Sequence, residues 1–286
     1  MSDTGANVAT EAGADVTRVA IVVPARHAST RYPGKPLVEI RGATGAMRPL
    51  IRRSWDAACA AAADMAGNVR IVVATDDGRI ADCANSFGAE VMMTPETCGN
   101  GTERCAAVLD RIGDDIEIVV NLQGDALLTP PWFLSALVDV LRADPSIAVA
   151  TPAVRATPAV HRRLLDDQAA GRVGGTTVAT AADGRALYFT KAIIPHVPDG
   201  RIGDPDLPVF LHVGVYAYRR AALAQYAGLA ESVLEGLEGL EQLRFLDGGV
   251  PVQVVEVDPR GCELWELNNP SDLAPIEVQL AVRGMA

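Results

Sequence analysis

The sequence predicts an α/β fold, with a mostly parallel central sheet and a smaller mixed or antiparallel lobe. Short, continuous apolar runs, which are typical of strands buried on both faces, occupy residues 18–24, 68–75, 89–94 and 116–122. Helical patterns separate these runs and occupy residues 49–66, 77–87, 102–112 and 130–143. This alternation favours right-handed β-α-β units, whose strands pair in parallel.

The pattern changes after about residue 147. Apolar segments joined by Pro- and Gly-rich turns predict antiparallel or mixed strands over 147–219. Helical patterns return at 221–229 and 237–246, followed by a strand at 252–257 and a last helix at 271–283. The simplest organisation is a disordered tail at 1–16 and one domain at 17–286, with 147–219 forming an inserted lobe.

Composition limits the partners of this chain. With 286 residues, 49% of them hydrophobic, the chain is long enough for one large core. A formal net charge of -11 argues against nucleic-acid or anionic-membrane partners, because both need a basic face. No apolar run approaches the roughly 20 residues of a membrane helix. We therefore expect a small-molecule enzyme or binding protein.

The cysteines and the N-terminal segment predict a cytoplasmic protein. The five cysteines are odd in number and form no C-x-x-C pair, which favours reduced, mostly buried thiols over metal or disulfide roles. The first 16 residues are polar and have no basic region before an apolar stretch, unlike a signal peptide.

A basic loop follows the first predicted strand. Ligands of open parallel sheets bind beyond the carboxyl ends of the strands, and this end carries Arg26, Arg31 and Lys35 within "PARHASTRYPGKPL". Guanidinium forks and an ammonium suit a polyphosphate. The loop lacks the dinucleotide and P-loop glycine patterns, which disfavours a dehydrogenase or a P-loop kinase. The alternative is a solvated loop whose cations pair with surface carboxylates.

Two further strand ends carry polar residues. "IVVNLQGD" ends on Asp125, a hard oxygen ligand suited to Mg²⁺, although the same residue could simply cap a turn. "CGNGTERC" joins Gly-rich backbone to a helix start, where Asn100 or Thr102 could bind a ligand or cap the helix. The residues alone leave these alternatives open.

Several motifs in a fixed order resemble one known family. They are "PARHASTRYPGKPL", "VVATDD", "GNGTER", "NLQGD", "ALYFTKAIIP", "HVGVYAYR" and "LEQLR". Together they resemble the bacterial CMP-Kdo synthetases, the 3-deoxy-manno-octulosonate (Kdo) cytidylyltransferases. The likeness runs from about Arg18 to Leu273 and implies a Rossmann-like nucleotidyltransferase fold. It also implies a homodimer, with "ALYFTKAIIP" near the contact.

The resemblance implies transfer of CMP from CTP to a small acidic acceptor, with Mg²⁺ as cofactor and pyrophosphate as the leaving group. Arg26, Arg31 and Lys35 would hold the triphosphate in a reaction that needs positioning and electrostatics rather than a covalent nucleophile. The nucleotide would be seated by Pro24, Ala25, Gly101, Thr102, Arg104 and Gln123. Asp125 would bind the metal.

The same resemblance assigns an acceptor pocket to the later segments, with residues His212, Tyr216, Glu241 and Gln242. His212 and Tyr216 alternate in phase with Gly214, so the three residues should share one face of a strand. Without the resemblance, His212 and Tyr216 would be interpreted as ordinary half-buried strand residues.

This chain departs from the family pattern at three places. The family's Q-G-D-E-P is Gln123-Gly124-Asp125-Ala126-Leu127 here, so a carboxylate is missing. "LNNPSDL" puts Asn268 where the family has its second metal-binding Asp, and an amide brings no charge. A basic residue of the family's "VKVV" strand aligns with Thr177.

These departures leave the acceptor open between a phosphonate, such as phosphonoformate, and a Kdo-like ulosonic acid. A phosphonate acceptor, as in phosphonate biosynthesis, would carry anionic oxygens that replace the missing ligand charge. A non-catalytic nucleotide-binding member of the family is the alternative from another class.

Overall fold

The computed structural model describes residues 18–28 and 32–286. The predicted tail at 1–16 and Arg31 lie outside the described residues. Within the described part of the chain, no helix is both long and apolar enough to cross a membrane.

The first half of the chain alternates strands and helices, as the apolar runs predict. Its elements are β1 (Arg18–Ala25), β2 (Glu39–Arg41), β3 (Met47–Pro49), α1 (Leu50–Ala63), β4 (Val69–Thr75), α2 (Gly78–Ser86), β5 (Glu90–Met93), α3 (Gly101–Ala106), β6 (Ile116–Leu122) and α4 (Pro131–Ala143).

The second half is richer in short strands. Its elements are β7 (Val149–Arg155), α5 (Pro158–Ala169), β8 (Thr177–Thr180), β9 (Ala186–Thr190), β10 (Phe210–His212), β11 (Val215–Arg219), α6 (Arg220–Gly228), α7 (Val233–Glu238), α8 (Leu243–Asp247), β12 (Val252–Glu256) and α9 (Leu273–Val282).

One large sheet contains all these strands except β2 and β3, which form a separate hairpin. Its order is β5-β4-β1-β6-β11-β7-β10-β8-β9, and β12 also pairs with β7. The β5-β4-β1-β6 half is parallel, whereas β11 runs antiparallel to both β6 and β7. The predicted fold class is confirmed, and the strands of 147–219 extend the central sheet.

Strand β1 is buried because each face has its own apolar cover. Val19, Ile21 and Val23 face one cluster, which includes α1 and α4 residues. Ala20 and Val22 face the other cluster, which includes α6 residues. A strand covered on both faces needs the continuous apolar run that the sequence shows.

Two helix predictions differ from the structure, and one helix was not predicted. The helix predicted at 102–112 ends at Ala106 and continues as turns. The helix predicted at 237–246 is two helices, because Gly239 takes a left-handed φ of 61° and ends α7. Helix α5 was not predicted, although Thr157 caps its N-terminus and Pro158 occupies its first turn, a common start signal.

The basic loop after β1 turns back through Gly34. Gly34 has a φ of 68°, which glycine adopts without strain, and its amide donates to the His27 carbonyl at 3.1 Å. A single 3₁₀ turn, Lys35–Leu37, follows directly. This geometry places Lys35 beside the ends of β1 and β6.

Candidate active site

The carboxyl ends of β1 and β6 form the centre of the site. The two strands pair in parallel, with Val22 opposite Asn121, so their following residues leave the sheet together. Gly124 approaches so closely that a Cβ there would lie 2.6 Å from the Pro24 carbonyl oxygen. Pro24 and Ala25 therefore lie directly against the "QGD" segment, as the shared strand edge predicts.

A deep cleft opens at this edge. Its volume is about 2090 Å³, well above the roughly 300–1,000 Å³ of a pocket for one small ligand. The predicted site residues that line it are Pro24, Ala25, Arg26, Lys35, Gly101, Arg104, Gln123, Asp125, His212, Tyr216, Glu241, Gln242 and Asn268. The cleft has room for two substrates side by side.

Lys35 and Asp125 form a direct ion pair in the cleft. The Lys35 Nζ donates to Asp125 Oδ2 at 2.5 Å, and both side chains are mostly buried. The sequence assigned these residues to different partners, a triphosphate and a metal ion. Their contact places the predicted triphosphate site directly beside the predicted metal site.

Arg26 lies on the opposite side of the same loop. Its guanidinium donates to the Gly99 carbonyl at 3.1 Å, which ties the basic loop to the "GNGTER" segment. Arg26 is otherwise exposed to the cleft. Arg31, the third predicted cation, lies outside the described residues, so its assignment stays a prediction.

The start of α3 is bonded to Glu241. The Thr102 amide donates to Glu241 Oε2 at 3.2 Å, and Gln123 Nε2 donates to Oε1 at 3.1 Å. A Cβ at Gly101 would lie 2.4 Å from Gln123 Nε2, so any other residue there would displace the Gln123 side chain from this position. Glu241, assigned to the acceptor, thus contacts two residues assigned to the nucleotide.

The hydroxyl of Thr102 and the side chain of Arg104 point into the protein. Thr102 Oγ1 bonds the Tyr218 hydroxyl at 2.8 Å. Arg104 is 2% exposed, donates to Asp76 Oδ2 at 2.8 Å and also bonds the Thr94 hydroxyl. Its guanidinium therefore holds neighbouring loops together beneath the cleft.

The acceptor-side residues form a line of hydrogen bonds and ring contacts. His212 Nε2 pairs with Thr151 Oγ1 at 2.8 Å, and the Tyr216 hydroxyl donates to Gln242 Oε1 at 3.0 Å. Desolvation lowers the pKa of His212 to about 3, so its ring is neutral. His212, Gly214 and Tyr216 all line the cleft, but they do not share one strand as predicted, because β10 ends at His212 and β11 begins at Val215.

Asn268 lies next to Asp125. The Leu267 amide donates to the Asp125 carbonyl at 3.4 Å, and the Asn268 amide donates to Asp272 Oδ2 at 2.8 Å. A carboxylate and an amide oxygen are hard donors that fit Mg²⁺ when phosphates complete the shell. No cluster of three or more His, Cys, Asp or Glu side chains suited to a metal occurs in the described ranges.

At the other two departures from the family pattern, this chain has buried side chains. Ala126 and Leu127 are buried, and Leu127 packs in an apolar cluster with Leu267 and Ile276. Thr177 is also buried, and its hydroxyl donates to the Ala192 carbonyl at 2.7 Å. None of these three side chains carries a charge into the cleft.

Sequence reasoning missed several charged residues of the cleft. Glu103, Glu235 and Arg244 form a buried ion network, and Lys191 Nζ lies 3.1 Å from where a Cβ on Gly239 would be. Glu103, Lys191 and Arg244 belong to quoted motifs, "GNGTER", "ALYFTKAIIP" and "LEQLR", which was the available signal. Charge on a short helix usually indicates a solvated face, so burial was not foreseen.

The strand ends of this Rossmann-like sheet bring a lysine, an arginine and a carboxylate into one cleft with room for two substrates. This arrangement is that of the nucleotidyltransferase class. A profile of the cytidylyltransferase family matches residues 20–252 of this chain. Two 3-deoxy-manno-octulosonate cytidylyltransferases match nearly end to end. That of Maricaulis maris is 42% identical over 266 residues, which cover 93% of this chain and 98% of the relative. That of Syntrophotalea carbinolica is 41% identical and covers 92% of this chain and 98% of the relative.

A solved structure supports the same family assignment. A CMP:2-keto-3-deoxy-manno-octonic acid synthetase complexed with CTP has a TM-score of 0.77 and 30% sequence identity, covering 93% of this chain and 100% of that one. The chain therefore belongs to the cytidylyltransferase family and is a nucleotidyltransferase enzyme. The resemblance found in the motifs is confirmed, and the dehydrogenase alternative is excluded.

The pKa of Glu241 predicts a measurable pH dependence of stability. Burial raises this pKa from 4.5 to about 7, against the lowering effect of the hydrogen bonds from Thr102. The unfolded chain thus ionises Glu241 at lower pH than the folded chain, so its stabilising contribution is full below pH 4.5 and is lost as pH rises towards 7.

We expect wild type to lose stability relative to Glu241→Gln between those two pH values, by a melting-temperature difference on the order of 5 °C. Thermal melts of both proteins from pH 4.5 to 8 measure this difference. A difference that does not change across this range would mean that Glu241 titrates like an exposed carboxylate.

Proposed function

We propose that this enzyme transfers CMP from CTP to Kdo and releases pyrophosphate. The observation that carries the proposal is one cleft in which residues predicted to seat the nucleotide and residues predicted to bind the acceptor meet through Glu241. The curated relatives that match nearly the whole chain are named for this acceptor, and the solved relative was crystallised with CTP.

The cationic side of the cleft would bind the triphosphate. Arg26 and Lys35 face the space beyond β1, and Arg31 is the third predicted cation of the same loop. On nucleotide binding, the Lys35 ammonium would exchange its contact with Asp125 for phosphate oxygens. Charge that develops on the leaving pyrophosphate is then opposed by groups already in place, which is the main requirement of phosphoryl transfer.

Mg²⁺ fits the donors on the other side of the phosphates. Asp125 and Asn268 would hold it, and the bound ion would supply positive charge at the α-phosphate. Once Lys35 has moved to the phosphates, Asp125 has both oxygens free for this purpose. The missing carboxylates at positions 126 and 268 leave one charged protein ligand among the predicted metal residues.

The chemistry of the acceptor side favours a polyhydroxylated sugar acid over a small phosphonate. His212 is neutral, Tyr216 and Gln242 are uncharged, and the raised pKa of Glu241 lets its carboxyl accept or donate a hydrogen bond. Such groups pair with hydroxyls, and the cations Arg155, Arg163 and Arg172, which line the same cleft, would pair with the acid group of the acceptor. Lys191, above Gly239, is placed to pair with one carboxylate.

The test is pyrophosphate release with CTP and Mg²⁺ across Kdo, related ulosonic acids, phosphonoformate and simple alkylphosphonates. We expect turnover with Kdo. Lys35→Ala should reduce that turnover by about two decades or more, the scale of losing a preorganised charge. Arg79→Ala, which breaks an exposed ion pair on α2, is the control and should keep wild-type turnover. Activity confined to a phosphonate would reassign the acceptor, and CTP binding without release from any acceptor would favour the non-catalytic alternative.

The metal assignment has its own test. Asn268→Asp restores a charged ligand beside Asp125, so we expect a lower Mg²⁺ concentration at half-maximal activity and tighter Mn²⁺ binding in a direct titration with CTP present. Asn269→Asp, one residue further along the chain, is the matched control. Equal metal dependence in wild type and Asn268→Asp would remove residue 268 from the metal site.

We also infer a homodimer that pairs through the β9 edge. This strand ends the large sheet, and Leu187 on it is 64% exposed. Val233 and Leu237 on the neighbouring α7 are 78% and 79% exposed, and Glu238 on the same helix bonds Thr190 at the end of β9. Light scattering should give twice the chain mass, and Leu187→Glu with Leu237→Glu should give the monomer mass. A native monomer would contradict this pairing.

The cytoplasmic location stays a prediction from the sequence.

A further inference from the structure

Arg244, on α8, is a buried cation that the predicted site does not include. Its side chain is 8% exposed. Its Nε and Nη2 donate to the two carboxylate oxygens of Glu235, both at 2.7 Å, and its guanidinium stacks 4.5 Å above the centre of the Tyr226 ring. Glu235 in turn completes the capping box that starts α7 with Ser232. Arg244 is thus fixed to the acceptor side of the cleft.

The third nitrogen of Arg244 reaches the nucleotide side. Nη1 donates to Glu103 Oε1 at 2.9 Å, and the other oxygen of Glu103 accepts from the Gly99 amide at 2.6 Å. The carbonyl of the same Gly99 accepts from Arg26. An unbroken series of hydrogen bonds therefore joins α7 to a cation predicted to hold the triphosphate.

Tyr226 provides a second connection between the same two segments. Asn100 Nδ2 donates to the Tyr226 hydroxyl at 3.0 Å, and that hydroxyl lies 3.2 Å from the Glu241 carbonyl, to which it donates. Because Arg244 stacks on this ring, it contacts both connections. The Gly99-Asn100 loop and the Glu241 segment are held by one cluster.

Only arginine can make these contacts together. Its planar fork carries donors in fixed directions, which here serve Glu235 with two nitrogens and Glu103 with the third. A lysine keeps the charge but has one nitrogen, so it cannot satisfy both carboxylates in this geometry. The shape of the side chain, in addition to its charge, sets the spacing of the two loops.

We propose that Arg244 and Glu103 are positioning residues that fix the Gly99-Asn100 loop relative to the Glu241 segment, so that the nucleotide and acceptor sides of the cleft depend on each other. The acceptor half of this inference rests on the proposed function. The nucleotide half rests on membership of the cytidylyltransferase family. Neither residue needs to touch a substrate.

The test combines CTP binding with turnover. CTP is titrated calorimetrically, without acceptor, into wild type, Glu103→Ala, Glu103→Gln and Arg244→Lys, and KM for Kdo is then measured at saturating CTP. Glu103→Ala should weaken CTP binding about tenfold, which is within the range found for residues that couple sites. Glu103→Gln has one acceptor oxygen, which can serve the Gly99 amide or Arg244 Nη1 but not both, so it should recover only part of the loss.

Arg244→Lys should raise both the Kd for CTP and the KM for Kdo, whereas Glu103→Ala should change mainly the Kd. The control is Arg70→Lys, which alters a paired arginine–glutamate contact at the far edge of the sheet and should leave both values within twofold. If Arg244→Lys does not fold, the CTP affinities of Glu103→Ala and Glu103→Gln test the proposal.

Wild-type CTP affinity in Glu103→Ala and Arg244→Lys, accompanied only by lower melting temperatures, would overturn the proposal and leave the cluster a structural one. If wild type releases no pyrophosphate with Kdo but Glu103→Ala still weakens CTP binding, the acceptor assignment fails and the positioning role stands.

Discussion

The parallel pairing of β1 with β6 is the constraint on which the rest of the site depends. It sets the basic loop after β1 beside the "QGD" segment after β6, and the absence of a side chain at Gly124 lets that segment rest on the Pro24 carbonyl. Only then can Lys35 reach Asp125. The apolar sequence of both strands is therefore part of the chemistry, since a strand covered on both faces cannot slip without burying its polar ends.

The antiparallel strand β11 extends this arrangement to the predicted acceptor residues. It pairs with β6 so that Val215 lies opposite Leu122, which puts Gly214 and Tyr216 at the same edge as Gln123. Glu241 then bridges the two halves by accepting hydrogen bonds from Thr102 and Gln123. The two sets of side chains are therefore already in contact in this structure.

The sequence was sufficient for the fold class and for placing Lys35 and Asp125 at one sheet edge, because apolar runs locate strands and polar residues follow their ends. It was insufficient where tertiary contacts decide. Arg104 and Arg244 are charged residues on short helices, and only the packed structure shows that partners have replaced water around them. The break at Gly239 depends on a left-handed backbone angle that the surrounding leucines, which recur at every third position, conceal. Glu241 and Gln242 were assigned only through the family resemblance.

The ion pair between Lys35 and Asp125 affects the charge balance of the cleft before any substrate binds. Each charge neutralises the other, so the mostly buried centre of the cleft carries no local excess of either sign in a protein whose net charge is -11. In the proposed reaction, a nucleotide that arrives with Mg²⁺ would offer each side chain a new partner of the correct sign. One internal ion pair would then be exchanged for two pairs with the ligand, and neither charge would be left desolvated and alone.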